Sequence, residues 1–165
     1  MMRTKPFAAT LAILIVALDI LTKRWALRAL GDGEVIPLFG GAVPLSLAFN
    51  TGAAFSLSLG AASRWVFTAL SVVVLIVLGD MFRKAAATER LRLYAAALVM
   101  AGAVGNLIDR VRWDRGVVDF IGPIDLGFML WPVFNVADMA ITCGAVLLAI
   151  SLGFGERKAA PAPQS

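Results

Sequence analysis

Residues 117–138 read VVDFIGPIDLGFMLWPVFNVAD, an apolar segment with one acid near its start and another at its end. These acids are Asp119 and Asp138, and Asp125 and Asn135 are the other polar residues of the segment. An ionised carboxylate in apolar surroundings is costly, and a second carboxylate nearby raises that cost. We therefore interpret the two acids as functional residues, and the rest of the chain as a scaffold that brings them together.

The composition is typical of an integral membrane protein. Of 165 residues, 60% are hydrophobic and 16% charged, and the mean hydropathy is +0.86. The chain has no histidine and one cysteine, which excludes Ser-His-Asp, Cys-His and His-ligated metal chemistry. We therefore expect no metal and no cofactor. The net charge of +4 comes from basic residues that flank the apolar stretches, so we expect no nucleic-acid partner.

Four apolar stretches are long enough to cross a bilayer of about 30 Å as helices rising about 1.5 Å per residue. The first follows a short basic leader, as in a secretory signal peptide, but no small-x-small cleavage site comes after it, so we expect it to remain attached. The predicted fold class is all-α integral membrane, with a single domain over residues 1–154. The spans are placed at about residues 7–27, 65–82, 93–108 and 136–154.

The two longer connections, residues 28–64 and 109–135, differ from the spans. The first contains β-prone runs at residues 34–39 and 43–49, which two glycines separate. Irregular backbone is unstable in the lipid interior, so these connections should lie at or outside the membrane surface. We predict that they form a small extracytoplasmic β cradle and loop subdomain.

Four spans place both termini on the same side of the membrane. Lys and Arg are denser in the terminal segments and the loop of residues 83–92 than on the other side, which predicts cytoplasmic termini. Residues 155–165 are polar and rich in Pro and Ala, and we predict a disordered cytoplasmic tail there. The polar residues at the opposite span ends then share the outer face.

Several of these outer-face residues have two interpretations. Asp19, with Lys23 four residues later, fits either a helix-terminal ion pair or a carboxylate that orients another group. Asn50 starts the turn Asn50-Thr51-Gly52, which is either an ordinary turn or a place where the Asn50 amide binds a peptide backbone while Gly52 leaves room for it. The residues alone favour the ordinary turn.

The third span carries small residues at every fourth position, which permits close helix packing. This stripe, Ala97, Ala101 and Gly105, leads to a polar group on one helix face, formed by Asn106, Asp109 and Arg110. Asn135 and Asp138 begin the fourth span, where capping is the simpler interpretation of the pair taken alone. The convergence of polar residues from unconnected segments favours a functional site.

Two acids held close together share a proton, because they cannot both ionise easily. One carboxylate can then take a proton from water while the other, protonated, polarises a carbonyl, which is aspartic peptidase chemistry without histidine or metal. Amides of Asn50, Asn106 and Asn135 could hold substrate backbone or support the acids, and Arg110 could bind Asp109. The sequence leaves open which aspartate is protonated at the start.

The sequence resembles the bacterial lipoprotein signal peptidases (signal peptidase II). Five motifs carry the resemblance in the family's order, and they cover nearly the whole chain apart from the tail. They are Asp19-Ile-Leu-Thr22-Lys23, Asn50-Thr-Gly-Ala-Ala-Phe55, Gly105-Asn106-Leu-Ile-Asp109-Arg110, Val117-Val-Asp119-Phe120 and Phe134-Asn135-Val-Ala-Asp138.

The resemblance implies that Asp119 and Asp138 are the catalytic dyad. It implies that the substrate is a prolipoprotein with diacylglycerol on its lipobox cysteine and that the enzyme cuts just before that cysteine. It also implies that the enzyme lies in the bacterial inner membrane, in contact with membrane lipid. We then expect the active site to lie near the outer leaflet and the protein to be a monomer. Other positions implied to shape the site or hold substrate are Asp19, Asn50, Asn106, Asp109, Arg110 and Asn135.

Three alternatives remain open from the residues. A small proton- or ion-coupled transporter would use the acids as a relay, but would need carboxylates spread through the membrane depth. A metal-dependent lipid-modifying enzyme would use Asp109, Asp119 and Asp138 as Mg²⁺ ligands. A Ser-Lys peptidase would pair Lys23 with a serine, and the candidates are Ser46, Ser56 and Ser58.

Overall fold

The computed structural model describes residues 4–52 and 63–159. Residues 53–62, which include Ser56, Ser58 and part of the Asn50–Phe55 motif, and residues 160–165 of the predicted tail lie outside the described residues. Four long helices dominate the described part, and each contains a stretch apolar and long enough to cross a membrane. These helices are α1 Thr4–Ala29, α2 Ser63–Lys84, α3 Arg90–Arg112 and α4 Val136–Ala159.

The prediction of four spanning helices is confirmed, and each helix is longer than its predicted apolar stretch. The reason is that the helical backbone continues through the polar residues that flank the lipid-facing part, such as Arg28 at the end of α1 and Arg112 at the end of α3. Helix α4 continues to Ala159, so residues 155–159, which we predicted to be disordered, are helical.

Helix α3 is the centre of the bundle, and its small residues allow the other helices to come close. Ala97 and Ala101 are almost fully buried, as the stripe of small residues predicted. A Cβ atom on Gly102 would clash with the carbonyl oxygen of Ala137, and one on Gly105 would lie 2.6 Å from the Asp19 carboxylate. Helices α1 and α4 therefore pack against α3 at the end that carries Asn106 and Asp109.

A three-stranded antiparallel sheet lies beside this end of the bundle, in the order β1-β2-β3. Its strands are β1 Val35–Leu38, β2 Val43–Asn50 and β3 Val117–Ile121. The two β-prone runs of the sequence thus form the predicted cradle, and β3, which we expected to be loop, completes it. Strand β3 pairs with β2 so that Asp119 lies opposite Ala48.

A second, two-stranded hairpin connects β3 to α4. It consists of β4 Ile124–Asp125 and β5 Leu130–Trp131. Its tip residue Phe128 has 83% of its surface exposed, and Phe39 in the turn between β1 and β2 has 84% exposed. Both hairpins therefore present an aromatic side chain at an exposed tip.

Candidate active site

The ends of three helices and two strands meet at one place, and each contributes polar side chains. Strand β3 supplies Asp119, and the first turn of α4 supplies Asp138, three residues after the buried Asn135. Helix α1 supplies Asp19 and Lys23, both almost fully buried. Helix α3 adds Asn106, Asp109 and Arg110, and β2 ends at Asn50.

Asp119 is 2% exposed. Its Oδ1 accepts a hydrogen bond of 2.6 Å from the Asn135 amide. Burial raises the pKa of Asp119 to about 7, and the negative charge of Asp138 acts in the same direction. Hydrogen bonding from the amides of Asn135 and Asn50 and the charge of Lys23 lower the pKa, but less strongly than burial raises it. Asp119 is therefore a carboxyl group that can hold a proton near neutral pH.

Asp138 is half-buried and accepts hydrogen bonds on both of its oxygens. The Asn106 amide donates to Oδ1 at 2.8 Å, and the backbone N–H of Asn135 donates to Oδ2 at 3.2 Å. The backbone N–H of Asp138 in turn donates to Oδ1 of Asn135 at 2.9 Å. This reciprocal pair is the helix cap that the sequence suggested, and it also fixes Asp138 beside Asp119.

The two asparagines connect the aspartates directly. The Asn135 amide nitrogen lies 3.1 Å from Oδ1 of Asn106 and also donates to the carbonyl of Val118 at 3.2 Å. One hydrogen-bonded chain therefore runs from Asp119 through Asn135 and Asn106 to Asp138. The buried amides hold the pair of acids in place, which was one of the two roles we expected for them.

Lys23 is the residue that sequence reasoning missed. Its ammonium lies 2.8 Å from Asp19, 3.0 Å from Asp109 and 3.0 Å from Oδ1 of Asn106. The sequence suggested only the local pair with Asp19, because the other two partners are more than 80 residues away. A lysine near the end of an apolar span with one local acid was the available indication of further partners.

Both carboxylates that bind Lys23 also bind backbone of the neighbouring elements. Asp19 accepts the N–H of Ala137 at 2.9 Å, and Asp109 accepts the N–H of Val118 at 3.2 Å. Ala137 and Val118 each directly precede one of the two central aspartates. Asp19 therefore has both roles: it forms the ion pair with Lys23, and it orients the backbone at Ala137.

Among the described residues Asp109 pairs with Lys23, and no ion pair joins it to Arg110 as we expected. The Arg110 side chain is half-buried and its guanidinium lies 5.6 Å from the centre of the Phe67 ring. Its charge still interacts with Asp138 and Asp119. Arg110 thus contributes positive charge to the site without a direct salt bridge to Asp109.

The turn after β2 is the ordinary turn that the residues alone favoured, and it also brings the Asn50 amide to Asp119. Oδ1 of Asn50 accepts the N–H of Gly52 at 2.9 Å, as in an ordinary Asx turn, and its amide interacts with Asp119. Gly52 has a φ of +112°, and a Cβ atom there would lie 2.7 Å from the Phe67 ring. Glycine is therefore required at this position for both backbone conformation and space.

A cavity of about 540 Å³ opens beside Asp138 and Asn50. Its wall is mostly apolar and comes from the segment that follows β5 and from the face of α4 that carries Met139, Thr142 and Cys143. A volume of this size accommodates an extended peptide segment or an acyl chain. Asp138 is thus accessible from a mostly apolar cavity.

The chain is similar to known proteins of one family. The sequence profile of the family described as signal peptidase (SPase) II matches residues 11–154. The chain belongs to the signal peptidase II family. It is 40% identical over 156 residues to the lipoprotein signal peptidase of Psychromonas ingrahamii, which covers 93% of this chain and 88% of the relative. It is 43% identical over 143 residues to that of Hydrogenovibrio crunogenus, over 86% of this chain and 81% of the relative.

Two solved bacterial membrane enzymes have a similar structure. One, determined in meso at 2.3 Å resolution, superimposes with a TM-score of 0.82 at 27% identity and covers 97% of this chain and 95% of its own. The other, at 1.9 Å resolution, has a TM-score of 0.78 at 30% identity over 89% and 92% of the chains. Together with the four apolar helices, these similarities identify a multi-pass membrane protein, and membership of the signal peptidase II family makes it a peptidase.

Proposed function

We propose that this signal peptidase II is an intramembrane aspartic endopeptidase. Its substrate is a prolipoprotein with a diacylglyceryl group on the lipobox cysteine, and it removes the signal peptide by cutting before that cysteine. Asp119 and Asp138 are the catalytic residues that activate water. The observation that carries the proposal is the convergence of these two acids, one from β3 and one from α4, on the same pair of buried amides.

The chemistry follows from one carboxylate and one carboxylic acid held together. The carboxylate takes a proton from water as the water oxygen attacks the scissile carbonyl carbon. The carboxylic acid gives its proton to the carbonyl oxygen, which produces a gem-diol. When the gem-diol collapses, one of its hydroxyl groups returns a proton to the second aspartate, the C–N bond breaks, and the leaving nitrogen takes the proton held by the first carboxylate. A pKa of about 7 for Asp119 supports this shared-proton scheme near neutral pH.

The lipid on the substrate explains why the site belongs in a membrane. Moving acyl chains out of the bilayer costs about 0.8 kcal/mol for each CH₂ group, so a water-soluble peptidase would have to supply a large free energy. The mostly apolar cavity beside Asp138 provides a lipid-accessible approach to the acids. Asn50 lies at the cavity wall, where its amide is suited to bind substrate backbone.

We place the protein in the bacterial inner membrane with cytoplasmic termini and the aspartate pair near the outer leaflet. The denser Lys and Arg residues of the terminal segments and the 83–92 loop support this orientation. The exposed Phe39 and Phe128 at the hairpin tips suit the interface between lipid and water. All residues of the proposed dyad and its supports come from one chain, so a monomer is sufficient.

The alternatives have less support. A transport relay would need acids along the spans, but Asp80, near the other end of α2, is bound to Arg83 and Lys84 on the surface. Between that level and the aspartate pair the four spans carry no acid. In the described ranges, 4–52 and 63–159, no group of three or more His, Cys, Asp or Glu residues is arranged to hold a metal ion.

The test is cleavage of a diacylglyceryl-modified lipobox peptide in detergent by wild type, Asp119→Asn and Asp138→Asn, with folding checked by thermal unfolding. We expect both variants to fold, bind the peptide and fail to cleave it, and chelators to leave wild-type cleavage unchanged. Substantial cleavage by either folded variant would disprove the two-aspartate mechanism. Loss of wild-type activity with a chelator would favour the metal-dependent alternative.

A further inference from the structure

We propose that the turn between α3 and β3 binds the headgroup of an anionic phospholipid. The site consists of the guanidinium groups of Arg112 and Arg115 around the ring of Trp113, and we call it the arginine site. Its charges have no part in the aspartate pair described above. The inference is independent of the proposed peptidase function, because lipid binding is measured without cleavage.

The Trp113 ring holds both guanidinium groups close together. The central carbon of the Arg112 guanidinium lies 4.7 Å from the centre of this ring, and that of Arg115 lies 4.4 Å from it. Arg115 also lies 4.7 Å from the centre of the Phe49 ring, so two aromatic side chains contact its guanidinium. Such cation–π contacts restrain the planar group and leave its N–H edges free to donate.

The Trp113 ring is itself held in place by the turn. Its Nε1 donates a hydrogen bond of 2.7 Å to the carbonyl of Gly116, and the backbone N–H of Trp113 donates to the carbonyl of Asp109 at 3.2 Å. A Cβ atom on Gly116 would clash with the carbonyl of Asn50, so the turn packs directly against the end of β2. The arginines therefore project from a turn whose backbone is fixed on both sides of Trp113.

Neither arginine has a protein acceptor within residues 4–52 and 63–159. Both side chains are exposed, and neither forms an ion pair or donates a hydrogen bond to the described residues. Asp114, which lies between them in the sequence, pairs with Arg64 instead. Each guanidinium thus offers a positive charge and up to five N–H donors to a ligand.

The parts of the chain outside the description contain no acid to neutralise these charges. They are residues 1–3, 53–62 and 160–165. The arginine site therefore has a positive charge that no undescribed Asp or Glu can pair with. The complementary partner is an anion from outside the protein.

The position of the arginine site favours a lipid headgroup as that anion. Arg112 is the last residue of α3, a helix apolar and long enough to span a membrane, and Trp113 follows it. Tryptophan and arginine at the end of a span lie at the level of the headgroups. Arginine binds phosphate oxygens through two parallel N–H···O bonds, which a phosphodiester at this level can accept.

The net charge of the site selects among phospholipids. A headgroup such as phosphatidylglycerol has one negative charge and no cation, so it complements two arginines without acids. The ammonium of a zwitterionic headgroup such as phosphatidylcholine would be repelled by them. We therefore assign an anionic phospholipid of the leaflet at the aspartate end of the bundle.

Arg24 and Arg28 provide a matched control. They lie near the end of α1, are exposed, and carry the same two charges at the same end of the bundle. In the described part of the chain, neither contacts an aromatic ring or pairs with a carboxylate. Removing their charges weakens the general attraction to an anionic membrane by the same amount but leaves the arginine site unchanged.

The experiment measures lipid retention by native mass spectrometry of the full chain released from detergent. The protein is first mixed with equal amounts of phosphatidylglycerol and phosphatidylcholine that have the same acyl chains. Wild type should retain phosphatidylglycerol preferentially. Arg112→Gln with Arg115→Gln should lower its retention about tenfold, whereas Arg24→Gln with Arg28→Gln should retain it as wild type does. Thermal unfolding checks that each variant is folded.

Two further measurements separate the site from charge and from free phosphate. Arg112→Lys with Arg115→Lys keeps both charges but loses the planar forks, so its retention should fall about threefold. An excess of inorganic phosphate should leave the lipid bound, because the acyl chains also contribute to binding. Displacement of the lipid by phosphate would overturn the assignment of a lipid, and wild-type retention by the lysine variant would overturn the guanidinium site.

The comparison of the two glutamine variants decides the proposal. Equal losses of phosphatidylglycerol in both would mean general attraction by a basic protein end, and would overturn a site at the turn. Wild-type retention in folded Arg112→Gln with Arg115→Gln would overturn it as well. Cleavage by Asp119→Asn or Asp138→Asn would disprove the aspartic mechanism without changing either result.

Discussion

The carboxylate of Asp19, within α1, accepts a hydrogen bond from the backbone N–H of Ala137, 118 residues later in the chain, at 2.9 Å. Ala137 is the second residue of α4, so a side chain of the first helix binds a free N–H group at the start of the last. The next residue is Asp138. The position of one proposed catalytic acid is therefore set by a carboxylate at the other end of the sequence.

Replacing Asp19 tests this connection. Asp19→Ala should lower the melting temperature, because losing the bond to the α4 terminus costs about 1 kcal/mol and Lys23 is left with Asp109 as its one remaining carboxylate partner in the described residues. Asp19→Asn keeps an oxygen for the Ala137 N–H and should lose less stability. Thermal unfolding in detergent measures both, with Asp80→Asn as a control from an exposed ion pair. Equal losses in the two Asp19 variants would show that the bond to Ala137 contributes nothing.

The raised pKa of Asp119 predicts how stability depends on pH. Its ordinary pKa is 3.8, and the folded protein raises it to about 7. Between these values the folded state holds a proton that the unfolded state has released, so wild-type stability falls as pH rises through this window and levels off above it. Each pKa unit corresponds to about 1.4 kcal/mol.

Asp119→Asn removes this titration but keeps an oxygen for the Asn135 amide. We expect the melting temperature of the variant minus that of wild type to be larger at pH 8 than at pH 4. Unfolding scans across this range measure the difference between the two proteins at each pH. A difference that stays constant with pH would contradict a raised pKa at this position.

The glycines of α3 are predicted to be essential for helix contact. Gly102→Ala would push against the carbonyl of Ala137, and Gly105→Ala against the Asp19 carboxylate. Each should cost about 1–3 kcal/mol by overpacking, and Gly105→Ala should also reduce cleavage because it displaces Asp19.

Gly79→Ala on α2 is the matched control, since a Cβ atom there has no described atom within 4 Å and alanine favours the helix. Melting temperatures and cleavage rates of the three variants make the comparison. Equal stability of all three would show that α3 and α4 can separate without cost.

Cys143 offers a test of the cavity that needs no change to the catalytic residues. It is the single cysteine of the chain, it is exposed, and it lines the cavity beside Asp138. A bulky maleimide should therefore block cleavage of the lipobox peptide, while Cys143→Ala should remain active and resistant to the reagent.

A control moves the thiol along the same helix. Val146 is exposed, and the cavity wall in the described residues does not include it. Cys143→Ala with Val146→Cys should react with the maleimide, as mass spectrometry can verify, and keep its activity. Full activity of labelled wild type would mean that substrate does not use this cavity.

The sequence predicted the four helices and the β-prone runs of the cradle because these depend on local patterns. Hydrophobic length identifies a span, and runs of β-branched and aromatic residues between glycines identify a strand. Strand β3 was missed because its residues, Val117–Ile121, lie in a longer apolar segment with no alternation to separate strand from loop. Its pairing with β2 is a tertiary contact between distant segments.

The same distinction applies to the candidate site. Asp119, Asp138, Asn106 and Asn135 were predicted as site residues because polar groups at span ends are rare in so apolar a chain. The contacts among them were not predictable, since Lys23 reaches Asn106 across 83 residues and its pairing with Asp19 already satisfied a local explanation. We expected Arg110 to bind Asp109, whereas the ion pair of Asp109 is with Lys23. Sequence spacing gives candidates along one helix, whereas the choice among partners depends on packing.

The Asp19–Lys23 ion pair has a consequence for biosynthesis. Helix α1 emerges from the ribosome first. The later partners of Asp19 and Lys23, which are Asn106, Asp109 and Ala137, follow 80 or more residues behind. Until they arrive, an aspartate and a lysine one helical turn apart are each other's nearest opposite charges, which lowers the cost of placing both in lipid. The pair thus lowers the cost of inserting the first helix before its other partners arrive, and it persists in the folded protein, where Asp19 also binds the start of the last helix.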